Sequence, residues 1–130
     1  MRAALWPSSR EDHIAEIDAF FQRASHDILV LVGVRSVGPL GGFVEVSVRS
    51  HAEGCRPGAV AYLEGWWVDP DLRREGVGRS LVAAAEDWAR MRGLTEMASD
   101  TELPNLASQA AHRSLGFREA GRIVCFRKEL

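Results

Sequence analysis

Apolar residues in the first quarter of the chain recur at helical spacing. A polar start at Ser8 and Ser9 precedes apolar residues at positions i, i+3, i+6 and i+7. These apolar residues are Ile14, Ile17, Phe20 and Phe21. Because such spacing places them on one face of a helix, the pattern predicts an amphipathic helix over residues 10–24.

The pattern then changes to three apolar runs that predict strands. The run ILVLVGV at 28–34 is rich in β-branched residues, and a cluster of Gly and Pro separates it from a second run at 43–48. We expect these two strands to pair as a hairpin. A polar loop at 50–59 leads to a third strand, VAYLEGWWV at 60–68, in which Glu64 stands among apolar neighbours.

Helical and strand patterns alternate in the second half of the chain. Apolar periodicity predicts a helix at 78–92, and EMAS at 96–99 predicts a short strand. A further helix is predicted at 105–115, and the tail at 117–128 favours two short strands or one long bent strand. This order predicts a single mixed α/β (α+β) domain over residues 1–130, with an antiparallel start and one strand–helix–strand crossover.

Composition and charge narrow the class of protein. Of the 130 residues, 46% are hydrophobic and 26% charged, with a formal net charge of −2. This balance excludes a disordered chain, a small disulfide scaffold and nucleic-acid binding by bulk positive charge. The sequence has no membrane-span or signal-peptide pattern, and Cys55 and Cys125 have no metal-site spacing. We therefore expect a cytoplasmic protein with reduced thiols, no metal, and no nucleic-acid or membrane partner.

The residues after the third predicted strand favour an anion site. Asp69-Pro70-Asp71 ends that strand, and a helix then begins at Gly76-Val77-Gly78 with Arg73, Arg74 and Arg79 around it. Glycines permit close approach of an anion, and the N–H groups and dipole of a helix N-terminus attract phosphate. A plain tight turn with solvated arginines is the alternative. Neither a Walker loop, which needs Gly-Lys, nor a Rossmann fingerprint, which needs a third glycine, matches.

The motif Arg73-x-x-Gly76-x-Gly78 lies between a strand and a helix. In sequence and position it resembles the pyrophosphate loop of the GCN5-related N-acetyltransferases (GNAT). The next helix, the strand at 96–99 and His112-x-x-x-Gly116-Phe117 follow in the family order. The resemblance implies the GNAT fold, a mixed central sheet flanked by helices, and acetyl-CoA as co-substrate. The coenzyme-binding residues it implies are Trp67, Val68, Arg73, Arg74, Glu75, Gly76, Val77, Gly78, Arg79, Ser80 and Asn105.

Longer segments are similar to the aminoglycoside 6′-N-acetyltransferases. They are Leu5-Trp6-Pro7, Gly54-Cys55, residues 62–70, Glu96-Met97-Ala98-Ser99-Asp100-Thr101, residues 112–117 and Phe126-Arg127-Lys128. The implied activity is transfer of acetyl from acetyl-CoA to a primary amine, the 6′-amine, of an aminoglycoside-like amino sugar. Two alternatives stay open: another small amine such as a polyamine, and a non-catalytic acyl-CoA-binding regulatory module.

Acetyl transfer to a protonated amine needs a carboxylate that attracts the cation and takes its proton. Asp100 ends a strand beside the expected cleft, and the resemblance places a catalytic or amine-binding carboxylate there. Alternation places Glu64 on the strand face of Trp66 and Val68. We expect Asp100 and Glu64 to be catalytic and to bind substrate, with Glu102 adding negative charge. The alternatives are a helix-capping Asp and a solvent-facing Glu.

Three other residues have both a functional and a packing interpretation. Many relatives carry a general-acid Tyr four residues before Gly-Phe, and His112 stands there instead, where imidazole can protonate a leaving thiolate. Asn105 matches a coenzyme-contacting Asn and is also a good helix cap. Trp66 is expected to line the substrate pocket, although it and Trp67 equally suit a core or a dimer interface.

The chain departs from the resembled enzymes at several positions. Arg56 stands where they often carry Asp, and Pro104 stands where a carboxylate is common, which weakens attraction for a polycation. Relatives also begin with a strand ahead of the Leu-Trp-Pro segment, so the fold is expected to lack its first strand. The strand at 28–34 would then be a bare apolar edge. Either the start codon was assigned too late, or a partner subunit in a homodimer covers that edge.

Overall fold

The computed structural model describes residues 1–6, 8–22 and 25–130. Its elements are α1 (Arg2–Leu5), α2 (Arg10–Gln22), β1 (Ile28–Gly33), β2 (Gly42–Arg49), β3 (Val60–Val68), a 3₁₀ turn (Pro70–Leu72), α3 (Val77–Met91), β4 (Met97–Ser99) and α4 (Leu106–Ser114). The short helix α1 was not predicted. The last two positions of the helix predicted at 10–24, like Pro7, lie outside the described residues.

The strands form one sheet in the order β1-β2-β3-β4. The first three strands are antiparallel, and β3 and β4 are parallel, so α3 is the crossover that joins them. The predicted hairpin and mixed sheet are thereby confirmed. The β3–β4 pairing covers three positions and ends at Leu63 and Ser99, whereas β3 continues to Val68. β4 ends at Ser99, so beyond Leu63 this edge of β3 has no strand beside it in the described part of the chain. We call this point the parting of β3 and β4.

The main hydrophobic core lies between the sheet and α3. Leu81, Val82, Ala85 and Ala89 recur on one side of α3 and are buried against the sheet. The sheet residues beneath them are Val44, Val46, Ala61 and Leu63. Fully burying a Val or Leu side chain contributes about 1.5–3 kcal/mol, so this layer fixes α3 relative to β3. The start of α3 is therefore held at a defined position next to the end of β3.

A β-bulge in β3 reverses the alternation of its side chains. Glu45 pairs with Gly65 and Val46 pairs with Leu63, so Glu64 is the extra residue. Leu63 faces the α3 core, and Trp66 does so too because its indole packs under Gly78. The prediction that Glu64 shares a face with Trp66 and Val68 is therefore wrong. Glu64 lies on the opposite face of the sheet.

The tail at 117–128 forms no strand among the described residues, so that prediction is wrong. The side chains of Ile123, Val124 and Phe126 are 64%, 79% and 94% exposed. A strand requires hydrogen bonds to a neighbouring backbone, and β-branched residues alone do not supply that neighbour.

No helix in the described ranges combines the length and the apolar character needed to cross a bilayer.

Candidate active site

The loop between β3 and α3 has the backbone geometry of an anion site. Arg74 has φ +67° and Gly76 has φ +88°, so two left-handed residues curve the chain just before Val77 begins α3. Gly76 is the N-cap, and no side chain in the described chain caps this end of the helix. The first N–H groups of α3 are thus left for another acceptor. Gly78 is needed for packing, since a Cβ there would lie 2.7 Å from Trp66 Cζ2.

An arginine clamp holds the turn that leads into this loop. Arg35 Nη1 donates to Asp71 Oδ2 at 2.6 Å, and its Nη2 donates to Asp69 Oδ2 at 2.9 Å. Trp67 Nε1 also donates to Asp69, at 2.9 Å. The hydrogen bond from Trp67, and then that from Arg35, lowers the pKa of Asp69, and the Arg35 hydrogen bond lowers the pKa of Asp71. The β1–β2 connection and the turn after β3 are therefore joined electrostatically.

We expect Arg35→Gln to lower the melting temperature by several degrees at neutral pH, with a loss that shrinks in acid. Both carboxyls have a lowered pKa, so the stability they confer is present above their ordinary value of 3.8 and disappears as pH falls through the lowered values. Thermal denaturation of parent and variant between pH 3 and 7 measures the difference. Arg90→Gln, which removes two exposed pairs within α3, is the matched control and should change it little. A difference that is constant across this pH range would contradict the clamp.

The three arginines of the motif lie in different surroundings. Arg73 Nε donates to the carbonyl of Val68 at 2.9 Å, and its guanidinium lies 5.1 Å from the Trp67 ring. Arg79 Nη2 donates to the carbonyl of Ser114 at 3.3 Å, at the end of α4. Arg74 is exposed. The motif therefore places Arg73 and Arg74 at the loop and directs Arg79 toward the loop after α4.

Four other predicted coenzyme residues line one groove. Glu75, Gly76, Val77 and Ser80 border a cavity of about 410 Å³ together with residues of β1 and α3. Its remaining lining residues are Leu31, Val32, Gly33, Leu81 and Ala84. This groove lies on the β1 side of α3. Its lining therefore comes partly from the β3–α3 loop and α3, and partly from the exposed edge of the sheet.

His112 lies where β3 and β4 part. Its Nε2 is 3.0 Å from Ser99 Oγ, and that hydroxyl is also 3.0 Å from the carbonyl of Leu63. Its Nδ1 is 2.8 Å from the carbonyl of Ser108. Because a carbonyl oxygen only accepts, Nδ1 carries a proton, and Nε2 is the ring nitrogen that contacts the Ser99 hydroxyl. Trp66 contacts the imidazole edge-on, with the ring centroids 5.7 Å apart.

Asp100 follows β4 and faces the opposite side of the sheet from Ser99. Tyr62 Oη donates to Asp100 Oδ1 at 2.8 Å. Burial, followed by the hydrogen bond to Asp100, raises the pKa of Tyr62 to about 12, so its hydroxyl stays protonated. His112 and Asp100 thus flank the parting of the strands from its two faces.

A second cavity, of about 480 Å³, opens on the same face as Glu64. Its lining residues are Arg2, Trp6, Ser8, His13, Glu16, Ile28, Glu45, Ser47 and Glu64. Arg2 bridges two of the carboxylates, contacting Glu45 and lying 2.5 Å from Glu16, and its guanidinium is 4.7 Å from the Trp6 ring. Three carboxylates and an indole surround this pocket, a combination that suits a cationic ring. We call it the acidic pocket.

The remaining predicted residues have definite positions. Asn105 caps α4 by accepting from Ser108 N at 3.1 Å, which matches its structural interpretation. Glu102 is exposed after β4, and its carbonyl accepts from Asn105 N. Trp67 and Val68 lie on the part of β3 that continues beyond its pairing with β4. Trp66 lies on the α3 face, away from the acidic pocket, so the structure does not bring it together with Glu64.

Five residues on this face of the sheet were not predicted as site residues. Trp6, His13 and Glu45 line the acidic pocket, whereas Arg49 contacts Glu64 and Tyr62 contacts Asp100. A signal was present for two of them. In the second strand Glu45 and Arg49 alternate with the apolar residues Val44, Val46 and Val48, which assigns them to the face opposite the core.

Comparison with known proteins agrees with this architecture. The model of the Acetyltransferase (GNAT) family matches residues 1–117. An aminoglycoside N(6′)-acetyltransferase type 1 from Klebsiella aerogenes is 49% identical over 132 residues, covering 100% of this chain and 87% of the relative. One from Serratia marcescens is 40% identical, covering 100% and 89%.

Solved structures give the same result. AAC(6′)-Iy in complex with the bisubstrate analogue CoA-S-monomethyl-acetylneamine has a TM-score of 0.91 at 34% identity, covering 100% of this chain and 88% of that one. AAC(6′)-Ih from Acinetobacter baumannii has a TM-score of 0.91 at 35% identity, covering 99% and 87%. The chain belongs to the acetyltransferase (GNAT) family, and the resemblance and fold class predicted from the sequence are confirmed.

Proposed function

We propose that this protein transfers the acetyl group of acetyl-CoA to the 6′-amine of an aminoglycoside. The observation that carries the proposal is the parting of β3 and β4, with Asp100 on one face, His112 on the other and the acidic pocket on the Asp100 face. The names of relatives that are 37–49% identical over nearly the whole chain support the same acceptor.

The coenzyme side of the site consists of the β3–α3 loop and the part of β3 that continues beyond its pairing with β4. The uncapped N–H groups of α3 and residues 73–80 suit a pyrophosphate, and the free edge of β3 at Trp67 and Val68 suits an extended amide chain lying in place of a strand. When bound there, acetyl-CoA supplies an activated thioester. The coenzyme contact implied for Asn105, the N-cap of α4, stays a prediction.

The acceptor side is the acidic pocket and Asp100. Glu16, Glu45 and Glu64 outnumber their ion-pair partners Arg2 and Arg49, and the remaining negative charge attracts the ammonium groups of an amino sugar. Trp6 offers an aromatic face to the sugar ring. Asp100 keeps Oδ2 available to hold the reacting ammonium and take its proton, because Tyr62 binds Oδ1.

Proton transfer on the other face completes the reaction. The nitrogen of the ammonium group loses two protons in the reaction. Asp100 takes the first and passes it to solvent, the neutral amine then forms the C–N bond as the C–S bond breaks, and Asp100 takes the second proton. His112 Nε2 in its protonated form gives a proton to the leaving thiolate. The hydrogen bond from Nδ1 to the Ser108 carbonyl holds the ring in place during this step. A pre-positioned acid and base of this kind accelerate acyl transfer by about 10²–10⁴-fold each.

Thiol release from acetyl-CoA, followed with a panel of aminoglycosides, polyamines and simple amino sugars, tests the proposed function. We expect release that depends on an aminoglycoside and weakens as salt concentration rises, because the pocket attracts a polycation. Turnover with polyamines and with no aminoglycoside would show that the acceptor belongs to the alternative class of small amines. Binding of acetyl-CoA without turnover of any amine would favour a regulatory module.

We further infer that the protein is a cytoplasmic homodimer. β1 is at the edge of the sheet, with Val32 44% exposed, and the apolar side chains of the tail are exposed as well. An exposed apolar edge strand is prone to pair with a second chain. Light scattering that returns the mass of a single chain would contradict the dimer.

A further inference from the structure

We propose that Tyr62 and Arg49 are positioning residues that hold Asp100 for the amine and reserve Glu64 as the partner of Arg49. This inference rests on the proposed function, and it divides the roles of two carboxylates that sequence analysis treated as equivalent. It assigns Asp100 as the proton acceptor and removes Glu64 from proton transfer.

The first step concerns the Tyr62 hydroxyl. The ring is 9% exposed and packs with Ala52 and Val60, so its position is fixed by the core. Its hydroxyl emerges from this cluster and donates to Asp100 Oδ1 at 2.8 Å. A buried ring that carries a single hydrogen bond to a carboxylate fixes the rotation of that carboxylate, and its second oxygen, Oδ2, is left to bind an amine.

The second step concerns Arg49. Its guanidinium lies 3.4 Å from the centroid of the Tyr62 ring and binds Glu64 through two nitrogens, with Nε 2.8 Å from Oε1. Ser47 Oγ also donates to Glu64 Oε1, at 2.5 Å. Glu64 therefore accepts three hydrogen bonds, and it is ion-paired before any substrate amine arrives.

The third step joins the two carboxylates. The ionisable groups that face Tyr62 are Asp100, Arg49 and Glu64, and Arg49 faces Asp100 as well. Because the pKa of Tyr62 is raised to about 12, its hydroxyl acts as a donor and takes no proton from an ammonium group. Two of these groups are carboxylates, and Glu64 is paired with Arg49. Asp100 is the carboxylate that has no ion-pair partner among the described residues.

The test begins with Tyr62→Phe, which removes the hydroxyl and keeps the ring. We expect kcat to fall about tenfold with an unchanged Kd for acetyl-CoA, because one hydrogen bond to a charged group is lost. Arg49→Met should give a similar change, which Arg49→Lys restores in part by keeping the positive charge.

Two controls separate positioning from packing. Cys55→Ala alters the same cluster without contacting Asp100, and it should leave kcat unchanged. In an Asp100→Asn background, Tyr62→Phe should have no further effect on kcat if it acts through that carboxylate. Any amine that supports turnover serves as substrate, so loss of the aminoglycoside assignment leaves the test intact. An undiminished effect of Tyr62→Phe beside Asp100→Asn would overturn the proposal.

Discussion

Asp100→Asn is expected to lower kcat by about 10²–10⁴-fold while acetyl-CoA binds with unchanged affinity. The amide retains the size of the carboxylate and can still accept from Tyr62, but it neither attracts an ammonium group nor takes its proton. Steady-state kinetics with a saturating aminoglycoside measure the loss, and calorimetry with acetyl-CoA measures the coenzyme side separately.

The matched control is Asp87→Asn. Asp87 is an exposed aspartate on α3 paired with Arg90, so its substitution should leave kcat within about twofold of the parent. Retention of full activity by Asp100→Asn would show that the proton leaves the amine by another path, through solvent or through a different carboxylate.

Gly76→Ala is expected to raise KM and Kd for acetyl-CoA by about 10–100-fold with a smaller change in kcat. Gly76 has φ +88° at the N-cap of α3, and a Cβ there strains the backbone where the phosphates are proposed to bind. Competition with desulfo-CoA or direct calorimetry isolates binding from catalysis.

Gly93→Ala provides the control for backbone strain. Gly93 has φ +75° just after the other end of α3, and a Cβ there meets no atom within 4 Å, as at Gly76. The two variants should therefore lose similar thermal stability, by about 1 kcal/mol, while Gly76→Ala alone weakens acetyl-CoA binding. Equal affinities in the two variants would place the pyrophosphate elsewhere.

The sequence predicted the helices and strands that contribute to the core, because their apolar period follows directly from burial. The strand at 60–68 and the helix at 78–92 are examples, observed as β3 and as α3 one residue earlier. The bulge at Glu64 escaped prediction, since an extra residue in a ladder depends on the pairing of β2 and β3 and leaves no periodic signal in β3 alone. The tail was mispredicted because local propensity says nothing about the presence of a partner strand.

In the candidate site, too, some features were predicted from the sequence and others were not. The loop at 73–78 was recognised because its glycines and arginines are consecutive, and the left-handed φ of Gly76 accounts for the glycine there. Asp100 was predicted at the end of a strand and His112 on the last helix, and the structure has them on opposite faces of the sheet near the parting of β3 and β4. The pairing of Glu64 with Arg49 was missed, because it joins neighbouring strands far apart in sequence.

The two faces of the sheet give each substrate its own approach. His112 and the α3 loop lie toward the core helix, whereas Asp100, Tyr62 and the acidic pocket lie toward α1. Consecutive residues, Ser99 and Asp100, are directed to the two sides by the pleat of β4. The end of β4 therefore positions both proton-transfer groups. Asp100 follows the strand directly, and His112 contacts it through the Ser99 hydroxyl.

The most direct measurement compares two aminoglycosides that differ only in carrying an amine or a hydroxyl at the 6′ position. The purified protein, acetyl-CoA and each compound are incubated, and mass spectrometry and NMR locate the acetyl group. The expected result is a single acetyl on the 6′-nitrogen of the amine and no product from its hydroxyl counterpart. Acetylation of another nitrogen, or equal modification of both compounds, would contradict the proposed function.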